Sequence, residues 1–124
     1  MLAAAKVVAF IATGDAARAK AFYGEVLGLR LLSEDGFAVV FDANGTTLRV
    51  AIVREVVPAP YTVLGWDVED IAATVRRLSA AGVVFERYAW LQQDELGIWN
   101  SPSGAKVAWF KDLDGNVLSV SQHP

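Results

Sequence analysis

The stretch DAARAKAFYGEVLGL, residues 15–29, decides the fold. It begins with Asp15, a residue type suited to cap a helix, and its apolar side chains recur at steps of three and four. Gly28 then suits the left-handed conformation in which many helices end. We therefore predict a helix that begins at Asp15, packs through one face and ends at Gly28.

Strands are predicted on both sides of this helix. Residues 6–13 are apolar and rich in β-branched side chains, as in a buried strand. Residues 29–34, 37–42 and 46–54 are three further candidates, separated by Asp-Gly and Asn-Gly dipeptides, which favour hairpin turns. Residues 5–55 therefore predict one βαβββ module.

The same order returns in residues 61–122. A strand is predicted at 62–67, a helix from Asp70 to Gly82, and further strands at 83–87, 96–100, 105–110 and 117–121. Residues 56–60 contain two prolines and predict an extended linker. Two such modules in a single α+β domain, residues 1–124, would curve their mixed sheets into a shared cup with the helices outside.

Composition excludes several classes of function. At 124 residues the chain has the size of one domain, and 54% hydrophobic against 20% charged residues favours a folded one. A net charge of -3 with scattered basic residues gives no reason to expect nucleic acid or an anionic membrane as a partner. There is no cysteine, hence no disulfide and no thiol nucleophile. No segment is typical of a signal peptide or a membrane span, so we expect a cytoplasmic protein.

Three segments, residues 15–29, residues 68–75 with Gly82 following, and residues 110–116, together resemble the vicinal oxygen chelate (VOC) superfamily. That superfamily includes glyoxalase I, bleomycin-resistance proteins, fosfomycin-resistance enzymes and extradiol dioxygenases. The likeness covers nearly the whole chain and implies the cup of two βαβββ modules and a homodimer. In the metalloenzymes of the family, the first and last strands of each module each place one side chain, His or Glu, on a divalent ion in the cup.

Matching motif to motif carries these four metal positions onto Val8, Arg49, Val63 and Ser119. None of these side chains is a usable ligand, and no carboxylate or imidazole lies within two residues of any of them. A dication 4 Å from the Arg49 guanidinium would meet roughly 8 kcal/mol of repulsion at an effective dielectric of 20. His123, the only histidine, is expected to lie in solvent. The sequence therefore predicts no metal and no cofactor.

Strand alternation predicts which side chains line the cup. They are mostly apolar with a few polar groups: Val8, Phe10, Ala12, Thr47, Arg49, Ala51, Val63, Gly65, Asp67, Val117, Ser119 and Ser121. Such a mixture is typical of a small-molecule pocket. Arg49 could pair internally with Asp67, or it could bind a carboxylate or phosphate of a ligand, and the sequence leaves both open. Ser119 has no evident base beside it and is not expected to act as a nucleophile.

Tryptophans give further candidates. Residues 88–95 include Trp90 and could form a rim over the cup that stacks on a flat ligand, or an ordinary surface loop. Trp99 and Trp109 could line the cup or pack in the core, whereas Trp66 is expected in the core. The expected ligand contacts are Arg49, Asp67, Phe10, Val63, Ser119, Trp90, Trp99 and Trp109.

The leading hypothesis is a VOC-superfamily domain that lacks the usual metal ligands and binds a small organic molecule. One alternative is an enzyme, a metal-independent or atypical lyase, isomerase or dioxygenase-type protein in which Arg49 stabilises a developing oxyanion. Another is a domain whose cup is filled by its own side chains. The expected partners are a small-molecule ligand and a second copy of the chain.

Overall fold

Two units make up the chain, Met1–Pro58 and Ala59–Pro124. They are seen in a computed structural model that describes residues 1–124. Each unit holds one four-stranded mixed sheet, and in each the order along the chain is strand, helix and three strands. The predicted pair of βαβββ modules is confirmed.

The first unit contains β1 (Val8–Thr13), α1 (Ala16–Ala21), β2 (Arg30–Glu34), β3 (Ala38–Ala43) and β4 (Thr46–Ile52). Its sheet has the order β1-β4-β3-β2, with β1 parallel to β4 and the other neighbours antiparallel. The turn between β3 and β4 falls at Asn44 and Gly45, whose φ angles of 51° and 93° are left-handed, as the predicted Asn-Gly turn requires.

The first helix begins where the sequence predicts and changes form before it ends. The Asp15 carboxylate accepts a backbone hydrogen bond from the first turn at 3.1 Å. After α1 the chain continues as a π-helical turn, Phe22–Val26, and Gly28 follows with φ 77°. The wider turn allows two consecutive residues, Phe22 and Tyr23, to be buried together with their ring centroids 5.2 Å apart.

The sheet of the first unit has one buried face and one face that no helix of this unit covers. Alternate residues of β3 and β4 on the α1 side are fully buried: Val39, Phe41, Leu48 and Val50. The Tyr23 ring lies 6.1 Å from that of Phe41, which fixes the helix on this side. Side chains between these positions point to the opposite face, here called the uncovered face because no helix of this unit lies on it, although Ala38 and Val40 are buried there.

The second unit contains β5 (Thr62–Asp67), α2 (Ile71–Ala80), β6 (Trp99–Asn100), β7 (Lys106–Lys111) and β8 (Val117–Gln122). Its sheet has the order β5-β8-β7-β6, with β5 parallel to β8. Asp70 caps α2 by accepting a hydrogen bond from Ala73 N at 3.0 Å, and Gly82 follows the helix with φ 99°. No helix is both long and apolar enough to span a bilayer.

One predicted strand of this unit is wrong and another is much shorter than predicted. Residues 83–87 make a single bridge, between Phe85 and Phe110, and residues 96–100 form a strand only at Trp99–Asn100. Gly97 has φ 89°, a left-handed conformation that a regular strand does not contain. The backbone groups of this region form isolated hydrogen bonds with other backbone groups, such as Glu86 N to Trp109 O at 2.7 Å, and with the side chains of Gln93 and Asp94.

The turn between β7 and β8 is built around a buried carboxylate. Asp112 accepts hydrogen bonds from the backbone N–H groups of Asp114 and Asn116 at 3.0 and 2.9 Å, and from the Asn116 side-chain amide at 2.9 Å. These bonds offset the cost of burying a charged group. The segment 110–116 therefore has a structural role in shaping the turn.

Candidate functional site

The uncovered face of the first sheet carries two of the predicted contact residues side by side. Phe10 on β1 is in register with Arg49 on β4, and Arg49 is in register with Val40 on β3. The row on one side of them consists of three small residues, Ala12, Ala51 and Ala38. Residues in register on adjacent strands have Cβ atoms about 4.5–5.5 Å apart, so Phe10 and Arg49 are direct neighbours.

The row on the other side is polar except for Val8. It runs from Val8 through Thr47 and Asp42 to Arg30 on the edge strand β2. An Arg30 nitrogen lies 3.4 Å from an Asp42 carboxylate oxygen, and the other oxygen accepts a hydrogen bond from Gly45 N at 2.9 Å. The carboxylate on this face is therefore engaged within its own unit.

Phe10 and Arg49 differ from this row in having no such partner. The Phe10 side chain is 63% exposed, and Arg49 is half-buried. Arg49 takes part in no ion pair, unlike Lys20 with Glu34, Arg30 with Asp42 and Lys111 with Glu86. An aromatic ring beside an unpaired guanidinium can hold a flat anion by stacking and by paired hydrogen bonds.

Arg49 also has an electrostatic neighbour in the turn that follows β2. Backbone hydrogen bonds from Phe37 and Ala38, at 2.8 and 3.0 Å, hold the pKa of Asp35 below its usual value, and the positive charge of Arg49 adds to this lowering. The Asp35 carboxylate is therefore ionised at neutral pH and contributes a negative charge to the surroundings of Arg49.

In the second sheet, a second set of predicted residues shares one face. Gly65, Ser119 and Trp109 are in register across β5, β8 and β7, and Asp67 is in register with Ser121 in the next row. A methyl group at Gly65 would lie 2.8 Å from Ser119 Oγ, so the serine hydroxyl fills the space that a larger residue would need. The neighbours of Ser119 along β8 are buried and point to the α2 side.

Four aromatic rings form a connected group in this unit, here called the aromatic cluster. The ring centroids of Trp99 and Trp109 are 6.0 Å apart, those of Trp109 and Tyr88 are 5.6 Å apart, and those of Tyr88 and Trp90 are 4.9 Å apart. Trp109 Nε1 donates to Thr62 Oγ1 at 3.1 Å, which fixes its ring. At the end of the cluster, Trp90 is 77% exposed. The sheet register places Trp99 and Trp109 on the Ser119 face, a question that the sequence left open.

The loop that carries Tyr88 and Trp90 is held by side-chain hydrogen bonds. Gln93 accepts from Tyr88 N at 2.8 Å and donates to the carbonyl oxygens of Glu86 and Gly97, both at 2.9 Å. Burial raises the pKa of the Tyr88 phenol, and the Glu86 carboxylate raises it further. No pattern in the sequence indicates this role of Gln93, because its three partners are backbone groups that only the folded loop brings together.

The four positions implied for a metal do not fit one. Val8 and Val63 offer no donor atom, Arg49 is a cation, and Ser119 supplies a single neutral hydroxyl. Val63 lies at the register shift of β5 and is 41% exposed. No group of three or more His, Cys, Asp or Glu side chains in the structure is arranged to hold a metal ion.

The histidine near the chain end has a partner that the sequence did not predict. His123 is exposed, and its Nε2 lies 3.1 Å from Ser121 Oγ. Alternation along an extended segment places both side chains on the same side, which is a signal that could have suggested this contact.

Two surface pockets of about 370 Å³ each lie away from the predicted ligand contacts. One lies beside α1 and β2 and is lined by Leu29, Leu31 and Phe41, and the other lies at the start of α2 near Glu69 and Lys106. Neither contains a predicted contact residue. Their positions on the helix sides separate them from the two sheet faces described above.

The predicted contacts are divided between the units. Phe10 and Arg49 belong to the first unit, and the remaining six belong to the second: Val63, Asp67, Trp90, Trp99, Trp109 and Ser119. Register brings Phe10 to Arg49 in the first unit and Ser119 to Trp109 in the second, whereas Val63 lies at a register shift and Trp90 lies in a loop. The pairing of Arg49 with Asp67 stays a prediction.

Comparisons with known proteins bear on the fold. A family model described as Glyoxalase/Bleomycin resistance protein/Dioxygenase superfamily matches residues 5–120. No match was found among curated proteins.

Solved structures of related fold cover almost the whole chain. A member of the same superfamily from Sphaerobacter thermophilus DSM 20745 is 22% identical, with a TM-score of 0.76 over 99% of this chain and 100% of that one. TioX from Micromonospora sp. ML1 is 23% identical, with a TM-score of 0.70 over 97% and 99%. Lactoylglutathione lyase from Agrobacterium tumefaciens is 18% identical, with a TM-score of 0.73 over 96% and 93%. At these identities the likeness establishes the fold and leaves the activity open.

Proposed function

The chain belongs to the Glyoxalase/Bleomycin resistance protein/Dioxygenase superfamily, and on that basis we propose that it binds a small organic molecule bearing an anionic group, on the uncovered sheet face around Arg49. The observation that carries the proposal is the half-buried Arg49 guanidinium, which takes part in no ion pair and lies in register with the exposed ring of Phe10. A planar guanidinium matches a carboxylate or sulfate through two parallel hydrogen bonds.

The neighbouring side chains support binding more than chemistry. Beside Arg49 the row Ala12, Ala51 and Ala38 has only small side chains; Ala38 is buried, so the space for an apolar group of the ligand lies over the half-buried Ala12 and Ala51. The face holds no imidazole or thiol; the Asp42 carboxylate is engaged by Arg30, and the Asp35 carboxylate in the neighbouring turn accepts two backbone hydrogen bonds. A receptor needs shape and charge complementarity, whereas acid–base catalysis would need a free titratable group within reach.

The aromatic cluster supports a second part of the proposal, that flat organic molecules stack on the second unit. Trp90 exposes most of its ring on a loop whose backbone Gln93 already fixes, so little ordering is needed when a ligand binds. Trp99 and Trp109 continue the aromatic surface. We propose that the predicted contacts Asp67, Val63 and Ser119 also touch the ligand, Val63 through an apolar side chain and the other two through polar groups.

A thermal-shift screen of organic acids, aromatic compounds and antibiotics tests the proposal. A ligand present at one hundred times its dissociation constant would stabilise the protein by about 2.7 kcal/mol. Calorimetry with each hit would then compare the wild type with Arg49→Ala, and with Arg54→Ala as a matched exposed control. We expect at least tenfold weaker binding for Arg49→Ala and no change for Arg54→Ala.

The opposite results have definite meanings. Equal affinity of the wild type and Arg49→Ala for every anionic hit would reject the role of Arg49. Unchanged quenching of tryptophan fluorescence in Trp90→Ala would reject the stacking surface. A screen with no hit would favour a domain whose binding face is filled by its own side chains.

We also propose that the protein is a homodimer and that it is cytoplasmic. A homodimer is supported by exposed apolar side chains such as Val7, Val57 and Tyr61, which association would remove from water. Size-exclusion chromatography with light scattering would give the mass of one chain if the protein is not a dimer. A cytoplasmic location is supported by a sequence without cysteine.

A further inference from the structure

The charges around Arg49 are balanced before any ligand binds. Asp42 lies two positions along β3 from Val40, the residue in register with Arg49, so its Cβ is a diagonal neighbour about 7–8 Å from that of Arg49. Asp35 is the second carboxylate, since the charge of Arg49 contributes to its lowered pKa. Arg30 is the only other cation on the face, and it is bound to Asp42.

The remaining elements of the unit add no charge to this face. The β1 strand, Val8–Thr13, contains no ionisable residue, and the β4 residues beside Arg49 on the face are Thr47 and Ala51. Two cations, Arg49 and Arg30, therefore have two carboxylates in their surroundings, Asp42 on the face and Asp35 in the turn that follows β2. A ligand with one negative charge pairs with Arg49, whereas a second negative charge would approach the Asp42 carboxylate, which is a diagonal neighbour of Arg49 within a Debye length of about 8 Å and already holds Arg30.

Resting on the proposed function, we infer that this site selects singly charged anions, such as carboxylates and sulfate esters, over doubly charged ones such as phosphate monoesters. The device that produces the selection is Asp42. It repels a second negative charge and also keeps Arg30 occupied, so that only one guanidinium is available to a ligand.

Two aromatic esters of the same shape test this charge selection. The probes are 2-naphthyl sulfate, which carries one charge, and 2-naphthyl phosphate, which is almost fully doubly charged at pH 8 because its second pKa is about 6. The neutral control is 2-methoxynaphthalene. Calorimetry at pH 8 on the wild type should show the sulfate ester binding at least tenfold more tightly than the phosphate ester.

Substitution of the selecting residue should narrow that difference. Asp42→Asn keeps an oxygen that can accept from Gly45 N, removes one negative charge and releases Arg30. We expect the affinities of this variant for the two esters to differ by less than about threefold. Glu34→Gln is the matched control, because it makes the same change of charge in a residue that is bound to Lys20 on the α1 side. It should leave the tenfold difference intact.

A second variant keeps the test decisive if Asp42→Asn does not fold. Asp35→Asn removes the other carboxylate and retains an oxygen for the backbone hydrogen bonds of the turn. This variant should also reduce the difference in affinity between the sulfate ester and the phosphate ester.

The outcomes separate the two proposals. Equal binding of both esters by the wild type, with loss of both in Arg49→Ala, would overturn the charge selection and leave the proposed function standing. Binding of none of the three probes, or equal binding of the neutral probe, would overturn the anion site itself.

Discussion

Replacement of Gly65 by alanine should destabilise the second unit, because the added methyl group has no space. Its Cβ would lie 2.8 Å from Ser119 Oγ and 3.3 Å from the Ser119 carbonyl oxygen. The first distance is shorter than real Cβ contacts allow, and the second requires the backbone of β8 to move by a few tenths of an ångström. Ser119 is only 9% exposed, so its hydroxyl has little room to rotate away.

The expected size of the effect follows from two opposing terms. Overpacking of a filled site costs typically about 1–3 kcal/mol. Against this, alanine restricts the unfolded chain more than glycine does, which favours the folded state by about 0.4–1 kcal/mol. The net loss for Gly65→Ala should be about 1–2 kcal/mol, equivalent to a fall in Tm of roughly 3–8 °C for a chain of this size.

Urea unfolding followed by circular dichroism would measure this loss in four variants. Ser119→Ala removes the hydroxyl, so Gly65→Ala should cost less than half as much in that background as in the wild type. Gly36→Ala is the control, because a methyl group there meets nothing within 4 Å. It should change stability by less than about 1 kcal/mol. The steric explanation would be refuted if Gly65→Ala lowered the unfolding free energy as much in the Ser119→Ala background as in the wild type, or if it did not lower the stability of the wild type at all.

Single side chains elsewhere give three more expected outcomes. Gln93→Ala removes three loop hydrogen bonds and should cost about 1–3 kcal/mol with faster hydrogen exchange in the loop, while the same change at exposed Gln92 should cost under about 0.5 kcal/mol. Because the pKa of Tyr88 is raised, an absorbance titration should contain a phenol ionising above pH 10.0 that Tyr88→Phe removes, and stability should decline as pH rises from 10.0 through that higher value. Because the pKa of Asp35 is lowered, the ionised carboxylate stabilises the folded state above pH 3.8, and this stabilisation is lost as the pH falls through the lower folded pKa. The difference in unfolding free energy between the wild type and Asp35→Asn should therefore shrink over that range. A difference that stays constant with pH would contradict this.

The parts of the fold that could be predicted from sequence are those set by local chemistry. Asp15 and Asp70 cap their helices, and Gly28 and Gly82 end them in left-handed conformations, because each depends on a few consecutive residues. The π-helical turn at Phe22–Val26 was not predicted, since it depends on how two adjacent rings are buried.

The errors and open questions arose where distant groups decide the structure. Residues 83–87 have the composition of a strand, yet the hydrogen bonds of Gln93 organise the following segment as a loop. For the site, alternation was enough to predict Phe10 and Arg49 on the same face, because both lie inside long regular strands, whereas their adjacency follows from the register of β1 with β4. The side of the sheet taken by Trp99 depended on the register of β6 and β7 across a turn, which sequence did not determine.

The parallel pairing of β1 with β4, and of β5 with β8, has a consequence for how the protein is made. The first strand of each unit emerges from the ribosome long before its partner, so it cannot be hydrogen-bonded while the intervening chain is synthesised. We expect the β3–β4 hairpin, with its Asn-Gly turn, to nucleate the first unit and β1 to dock last. Until then β1, whose sequence is VAFIAT, is an apolar segment open to mispairing in the nascent chain.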